Sequence, residues 1–305
     1  MHQPFSELHQ QVCAPPLQID VIIATCGRPE TTAKLVRLLE DQTRPANRVL
    51  VVGTCDDDVA GVAEASDAAT IMFAPRGLCR QRNAGIDAVR HQADAVVFFD
   101  DDFVPASDYL EAVEALLLAE PDVVGLTGSL VDDGILHDPI GFEDAVHRLN
   151  VKQERPAPAG HKSRYSLYGC NMALRLSALG NLRFDESLPL YGWLEDIDLT
   201  FQLGQRGRLI ESSELTGIHL GQRSGRQSGR RLGYSQVANV VHLYRKGTMP
   251  PDTGWCKLRN NLLANLIKSI APEPHVDRRG RLRGNLLAIG DLLRGKLDPG
   301  RIASL

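Results

Sequence analysis

Asp100, Asp101 and Asp102 follow directly on the apolar run Val96-Val97-Phe98-Phe99. Three carboxylates therefore stand where a buried strand leaves the core. Like charges this close raise the energy of the fold unless something positive offsets them. A divalent cation with oxygen ligands is a natural offset. Residues i and i+2 of an extended segment face the same way, which directs Asp100 and Asp102 toward one cavity. Asp102 is then the direct ligand, and Asp100 touches a ribose or a metal-bound water. The plainer alternative is a solvated loop that caps the next helix through Asp102 or Ser107. A second string, Leu190-Tyr191-Gly192-Trp193-Leu194-Glu195-Asp196, pairs a bend and an apolar wall with two acids that open a helix. A helix N-terminus stabilises negative charge, and a carboxylate there suits a general base for an attacking hydroxyl. Ordinary capping by first-turn acids is the other reading. His219 closes a short apolar stretch. It is read as a metal ligand, as a donor to a diphosphate, or as a structural histidine.

Three further strings carry polar groups to turns. Thr25 and Arg28 lie just past the first apolar run, where backbone N–H groups at a strand-to-helix turn favour an anion or a base edge. Asp56, Asp57 and Asp58 end the second run, the usual place for an acid that reads a ribose. Arg80, Arg82 and Asn83 open a helix in the string Arg76–Gly85. The rigid fork of arginine suits phosphates and planar bases. No Gly-x-Gly-x-x-Gly follows the first run, which makes a dinucleotide fold a poor fit, and no Gly-x-x-x-x-Gly-Lys-Ser/Thr occurs, which excludes a P-loop.

The elements that must hold these residues alternate. Apolar strands are expected near 19–24, 48–53, 70–73, 95–99 and 123–130, with helices near 30–41, 78–91 and 106–119. Alternation implies an α/β fold with a mainly parallel sheet, and near-continuous apolar runs imply strands covered on both faces. Residues 132–165 read as loop-rich, with Pro139, Pro156 and Pro158. Order is expected again at 168–174, in a helix near 195–206, and in two strands near 208–211 and 216–219. Residues 221–233 carry four Gly and four Arg and read as a mobile loop, either closing over a negative leaving group or simply solvated. The division expected is a lead-in at 1–18, a catalytic domain at 19–233 and a helical extension at 234–305. In that extension Leu258, Leu262, Leu263, Leu266, Ile267 and Ile270 fall on one stripe.

For a chain of 305 residues, a net charge of −4 predicts no general affinity for nucleic acid. Six scattered cysteines without a Cys-x-x-Cys pair argue against a zinc ribbon or disulfide framework and for a reducing compartment. The N-terminus lacks a basic region followed by an apolar one, so a signal peptide is not expected. No apolar run approaches the length that spans a bilayer. The expected location is cytoplasmic, and the C-terminal stripe is read either as a helix docked on the core or as a peripheral contact with the inner membrane face.

Taken in order, "VIIATCGRPETTAKLVRLLEDQT", "RGLCRQRNAGIDAV", "VVFFDDDFVP", "YGCNMALR" and "YGWLEDIDLTFQLGQRG" resemble the family 2 glycosyltransferases with the GT-A fold. The strings cover about residues 19–220. The resemblance implies a Rossmann-like α/β domain and a UDP-, GDP- or dTDP-sugar donor. It also implies Mg2+ or Mn2+, a glycan or lipid-linked acceptor, and inversion in one displacement. By motif, it implies that Thr25, Arg28, Asp57 and Arg82 bind the nucleotide. Asp100 and Asp102 become the metal-binding acidic motif, with Asp101 on the donor side and His219 as a further ligand. Asp196 becomes the base, with Glu195 and Trp193 toward the acceptor. Two departures stand out. The second strand ends Val-Gly-Thr-Cys-Asp instead of Asp-x-x-Ser-x-Asp, and Gly-Cys-Asn-Met-Ala matches the acceptor-side segment only approximately. The competing functions are a nucleotidyltransferase, whose Gly-rich opening loop with Arg and later Pro-Lys are lacking, and a non-catalytic nucleotide-binding protein of the same fold.

Overall fold

The computed structural model describes residues 15–135, 137–153, 160–222, 228–274 and 276–305. The elements run β1 (Ile19–Ala24), α1 (Pro29–Glu40), β2 (Arg48–Gly53), α2 (Val62–Ala65), β3 (Ala69–Phe73), α3 (Leu78–Val89), β4 (Ala95–Asp100), β5 (Phe103–Pro105) and α4 (Tyr109–Ala119). They continue as β6 (Val123–Asp133), α5 (Phe142–Gln153), β7 (His161–Arg164), β8 (Asn171–Arg175), α6 (Leu176–Leu179), α7 (Glu195–Leu203) and β9 (Arg208–His219). Three long helices, α8 (Gly229–Lys246), α9 (Pro251–Lys268) and α10 (Arg278–Leu293), close the chain before a 3-10 turn at Pro299–Ser304.

Among the described residues one sheet has the order β3-β2-β1-β4-β8-β6-β9-β5, with β7 on β9. β3, β2, β1 and β4 are parallel, as alternation with α1 and α3 requires. β8 then joins β4 and β6 antiparallel, and β6 runs parallel to β9. Both faces are covered, and the period of two sorts the strand residues between them. Val21 and Ile23 of β1 and Val97 and Phe99 of β4 meet α1 and α4 on one face. Ile22, Val96 and Phe98 meet α3, α7 and α8 on the other. Burying each of these side chains stabilises the fold by about 1.5–3 kcal/mol. Pro29 begins α1, where its missing N–H is not needed.

Three expectations change. The strands expected at 208–211 and 216–219 are one strand, β9, with register shifts against β6. The region 132–165 holds the helix α5, whose Ala145 and Leu149 are buried, and the exposed edge strand β7. The stripe on α9 splits: Leu258 and Leu262 pack inward, while Leu263, Leu266, Ile267 and Ile270 stay exposed. The loop expected at 221–233 lies partly outside the described residues, and α8 already begins at Gly229.

α8 and α10 cross at two glycines. A Cβ at Gly233 would meet the Arg281 carbonyl, and one at Gly284 would meet that of Arg230. Backbone contact of this kind is open only to glycine. α8 also grips the α7 region. Lys246 pairs with Asp198 of α7 at 2.7 Å and with Asp185 at 2.8 Å. Asn239 donates to the Trp193 carbonyl at 2.7 Å. The C-terminal helices are thus fastened to the elements that carry Trp193, Glu195 and Asp196.

Candidate active site

The parallel register explains the first cluster. β1 pairs with β4 so that Ala24 stands opposite Asp100. The next residues, Thr25 and Asp101, therefore leave the sheet side by side, and Thr25 Oγ1 donates to Asp101 Oδ2 at 2.9 Å. Arg28, at the mouth of α1, reaches Asp101 at 2.7 Å and Asp102 at 3.1 Å. β5 pairs antiparallel with β9, placing Phe103 opposite His219. His219 Nε2 is thereby 3.3 Å from Asp102, and its Nδ1 is 3.1 Å from Asp133. Asp133 itself stands opposite His219 across β6 and β9. The Gln222 N–H donates to Asp102 at 2.9 Å.

These contacts set the charges. Burial pushes Asp101 up to about 7 against the pull of Arg28, and Asp102 adds to the rise. Burial would also raise Asp102, but His219, Arg28 and the Gln222 N–H hold it below the usual carboxylate range. Burial would lower His219, yet Asp102 and Asp133 outweigh that and raise it to about 10. Ligand atoms of Asp100, Asp102 and His219 lie within 4.8 Å of one another. Two carboxylates and an imidazole fit a divalent cation, which would replace the imidazole proton because a ligating nitrogen must be unprotonated.

The second cluster sits at the start of α7. The turn before it is sharp: Leu190, Gly192 and Leu194 have φ of 59°, 65° and 77°. Left-handed backbone at two leucines is uncommon and is held here by surrounding structure. The turn presents Trp193, Glu195 and Asp196. Asp196 accepts from the N–H of Gly169 at 3.0 Å and of Ile197 at 2.8 Å. Burial raises Asp196 above the ordinary aspartate range, while those N–H groups, Arg82 and Lys257 pull the other way. Burial pushes Glu195 up to about 8, with Asp196 adding to the rise and Arg82 opposing it.

Arg82 joins the two clusters. Its Nη2 donates to Asp100 at 2.7 Å and to the Gly169 carbonyl at 2.8 Å, and its Nη1 donates to Glu195 at 2.8 Å. The guanidinium lies over the rings of Phe98 and Phe184, with centroids 5.7 and 5.3 Å away. The side chain is only 2 % exposed.

Both clusters open on one cleft of about 800 Å³. Thr25, Arg28, Asp100, Asp101, Asp102, Trp193, Glu195, Asp196 and His219 all line it. Arg82 and Asp57, both expected to bind the nucleotide, do not. Arg82 lies behind the wall. Asp57 is exposed on the 3-10 turn after β2, and its neighbour Asp58 turns inward to accept from the N–H groups of Gly27 and Thr54. The sequence reading passed over Asp133, legible only as an acid at the end of β6. Arg231, expected in a loop, lies on α8 and lines the cleft with Gln236, Lys257, Asn261 and Arg281, whose place there no motif in the sequence marks. Lys257 and Asn261 are one helical turn apart on α9, the one signal that they share a face.

Comparison with known proteins bears on this cleft. A search of the curated proteins found no match. Among solved structures, a chain of S. aureus TarS spanning residues 1–349 superposes with TM-score 0.57 at 14% identity, covering 95% of this chain and 83% of that one. A longer TarS chain gives 0.53 at 16%, covering 74% of this chain and 40% of its own length, so the present chain spans under half of it. A mannosyltransferase of Pyrobaculum calidifontis, solved with GDP-Man and Mn2+, gives 0.54 at 16%, covering 95% and 86%. At such identities these likenesses speak to the fold, which is that of the GT-A glycosyltransferases. The model of glycosyl transferase family 2 matches residues 20–183, more than half of the chain, and takes in the Asp100–Asp102 motif, Arg82 and the Gly169 turn. The chain belongs to glycosyl transferase family 2.

Proposed function

We propose that the protein is an inverting, metal-dependent glycosyltransferase that moves a sugar from a nucleotide-sugar donor to an acceptor hydroxyl, in polysaccharide or glycolipid synthesis. The observation that supports this most is the shared cleft: the donors of Asp100, Asp102 and His219 and the acids of α7 face one space. Asp100, Asp102 and His219 would hold the cation. Mn2+ suits an imidazole-containing set better than Mg2+, which keeps to oxygen ligands. Bound there, the cation would supply positive charge to a diphosphate as it leaves.

The protein's own residues do the rest. Thr25 and Arg28 hold Asp101 in place and border the nucleotide end. Trp193 and Glu195 border the acceptor. Asp196 takes the proton of the acceptor hydroxyl. The hydroxyl oxygen forms a bond to the anomeric carbon as the bond to the diphosphate oxygen breaks, and the electron pair leaves with the diphosphate. Attack from the face opposite the leaving group inverts the centre, so no covalent enzyme intermediate forms. Arg82 acts from behind the wall, as a strut between Asp100 and Glu195, and does not touch the nucleotide.

The test is a panel of UDP-, GDP- and dTDP-sugars assayed for nucleoside diphosphate release and product formation. Turnover with at least one donor is expected in Mn2+, with loss of about a hundredfold or more in excess chelator and recovery on adding Mn2+ back. Full turnover in chelator with Asp102→Ala unimpaired would remove the metal from the mechanism.

No helix among the described residues is long and apolar enough to cross a membrane. The outer face of α9 nonetheless exposes Trp255 (67%), Leu266 (55%) and Ile267 (64%) beside Arg259 and Lys268. An apolar stripe with basic flanks suits the surface of an anionic bilayer, where a lipid-linked acceptor would reside. Flotation with anionic liposomes is expected for the wild type and lost in a Trp255→Ser/Leu266→Ser/Ile267→Ser variant. Equal flotation of both would reject this contact.

A further inference from the structure

The C-terminal helices give the cleft a wall unlike the rest of it. Arg231 of α8, Lys257 of α9 and Arg281 of α10 line the cleft with the amides Gln236 and Asn261. Among the described residues these helices place no carboxylate there. The protein as a whole carries a net charge of −4, so a stretch of cleft lining with three cations and no carboxylate is a local departure from its average. Lys257 makes no hydrogen bond or ion pair among the described residues, although it is only partly exposed. The amides are fixed: Gln236 donates to Asn261 Oδ1 at 3.1 Å and accepts from Asn265 at 2.7 Å. Arg231 is held by the carbonyl of Leu305 at 2.8 Å. The wall is a prepared surface with one ammonium left over.

Its placement indicates which substrate it serves. The donor's diphosphate already has Arg28, His219 and the acidic cation site at its end of the cleft. Lys257 lies close enough for its charge to be felt by the Asp196 carboxyl, and Asp196 is the group that must face the acceptor. A cation beside a general base weakens the base unless an anion neutralises it. An acceptor with a negative group near its reacting hydroxyl would do so, and would be oriented by the same contact.

Resting on the transferase reading above, we propose that Lys257, with Arg231 and Arg281, forms an acceptor subsite for a phosphate group, so that the acceptor is a phosphorylated polyol or glycan, whether soluble or lipid-borne. Charge-assisted hydrogen bonds to phosphate are about twice as strong as neutral ones, so losing one is expected to weaken binding roughly tenfold.

Calorimetric titration of glycerol 3-phosphate, with glycerol as the neutral control, tests this on the full chain. It is run both without nucleotide and with saturating UDP or GDP and Mn2+, which fill the donor end. Glycerol 3-phosphate is expected to bind in both states and glycerol in neither. Lys257→Gln should weaken the phosphate roughly tenfold while leaving the nucleotide's affinity unchanged. Arg259→Gln, which removes a charge from the exposed side of the same helix, should change neither. Octyl phosphate binding more tightly than glycerol 3-phosphate would mark a lipid-borne acceptor; the reverse order would mark a soluble one. Absence of phosphate binding, or binding indifferent to Lys257→Gln, overturns the subsite. Failure of the nucleotide to bind is read separately and counts against the transferase reading alone, because the titration without nucleotide still decides the subsite.

Discussion

Replacing Asp196 by Asn is expected to lower kcat for sugar transfer by about 10²–10⁴-fold, the range for loss of a general base. The nucleotide's Kd should stay within about twofold. The amide keeps the shape of the carboxylate but offers one acceptor where Asp196 offers two, to the N–H groups of Gly169 and Ile197. One of those N–H groups therefore loses its partner, and a stability loss of about 1 kcal/mol accompanies the substitution. That is far too little to unfold the domain, so lost turnover reports the chemistry. The pH profile gives an independent reading. The base works only when ionised, and burial raises Asp196 above the ordinary aspartate range. Activity should therefore fall on the acid side at a higher pH than a solvent-exposed aspartate would dictate. Measuring kcat against pH checks this, and a limb at the ordinary aspartate position would show that another group is the base.

Replacing Arg82 by Met should lower unfolding free energy by about 3–5 kcal/mol, the usual result of removing one partner from a buried ion pair. Asp100 and Glu195 would each lose the guanidinium, and the Gly169 carbonyl would lose its donor. Arg82→Lys keeps the charge but cannot bridge three acceptors with a planar fork, so an intermediate loss is expected. Urea denaturation measures both. The strut also predicts a kinetic pattern: activity falls in step with displacement of Asp100 and Glu195, and affinity for nucleotide in the absence of metal is unchanged. A metal-free nucleotide affinity that drops with Arg82→Met while stability is retained would place Arg82 in the nucleotide site instead.

Arg82 also shows where sequence reading stops. The string around it marked it as unusual, and a cleft-facing arginine was the expectation. Its partners stand 18 and 113 residues away, and nothing in local spacing reveals that they enclose it. The parallel strands were legible because Val, Ile and Phe runs of both-face burial are unmistakable in sequence. From β1 and β4 alone, the meeting of Thr25 with the Asp triplet follows by register. β9 was read as two strands because Ser212-Ser213-Glu214 interrupts its apolar pattern, at the place where its pairing with β6 shifts register. β7 has four exposed residues and no apolar signal at all. The prolines around α5 masked a helix that buries little. The role of the C-terminal helices was hidden most deeply. Their attachment runs through glycine crossings and through side chains such as Asn239 and Lys246 that hold the Trp193 turn and α7. Neither feature has a periodicity to read.

A divalent cation is expected between Asp100, Asp102 and His219, across one cleft from Asp196. Anomalous diffraction from crystals grown with Mn2+ and a nucleoside diphosphate tests it directly. The expected result is a manganese peak bounded by those three side chains and touching the diphosphate, with the nucleotide lying toward Thr25 and Arg28. A peak elsewhere, or a nucleotide bound in the cleft with no metal near Asp102, would contradict it.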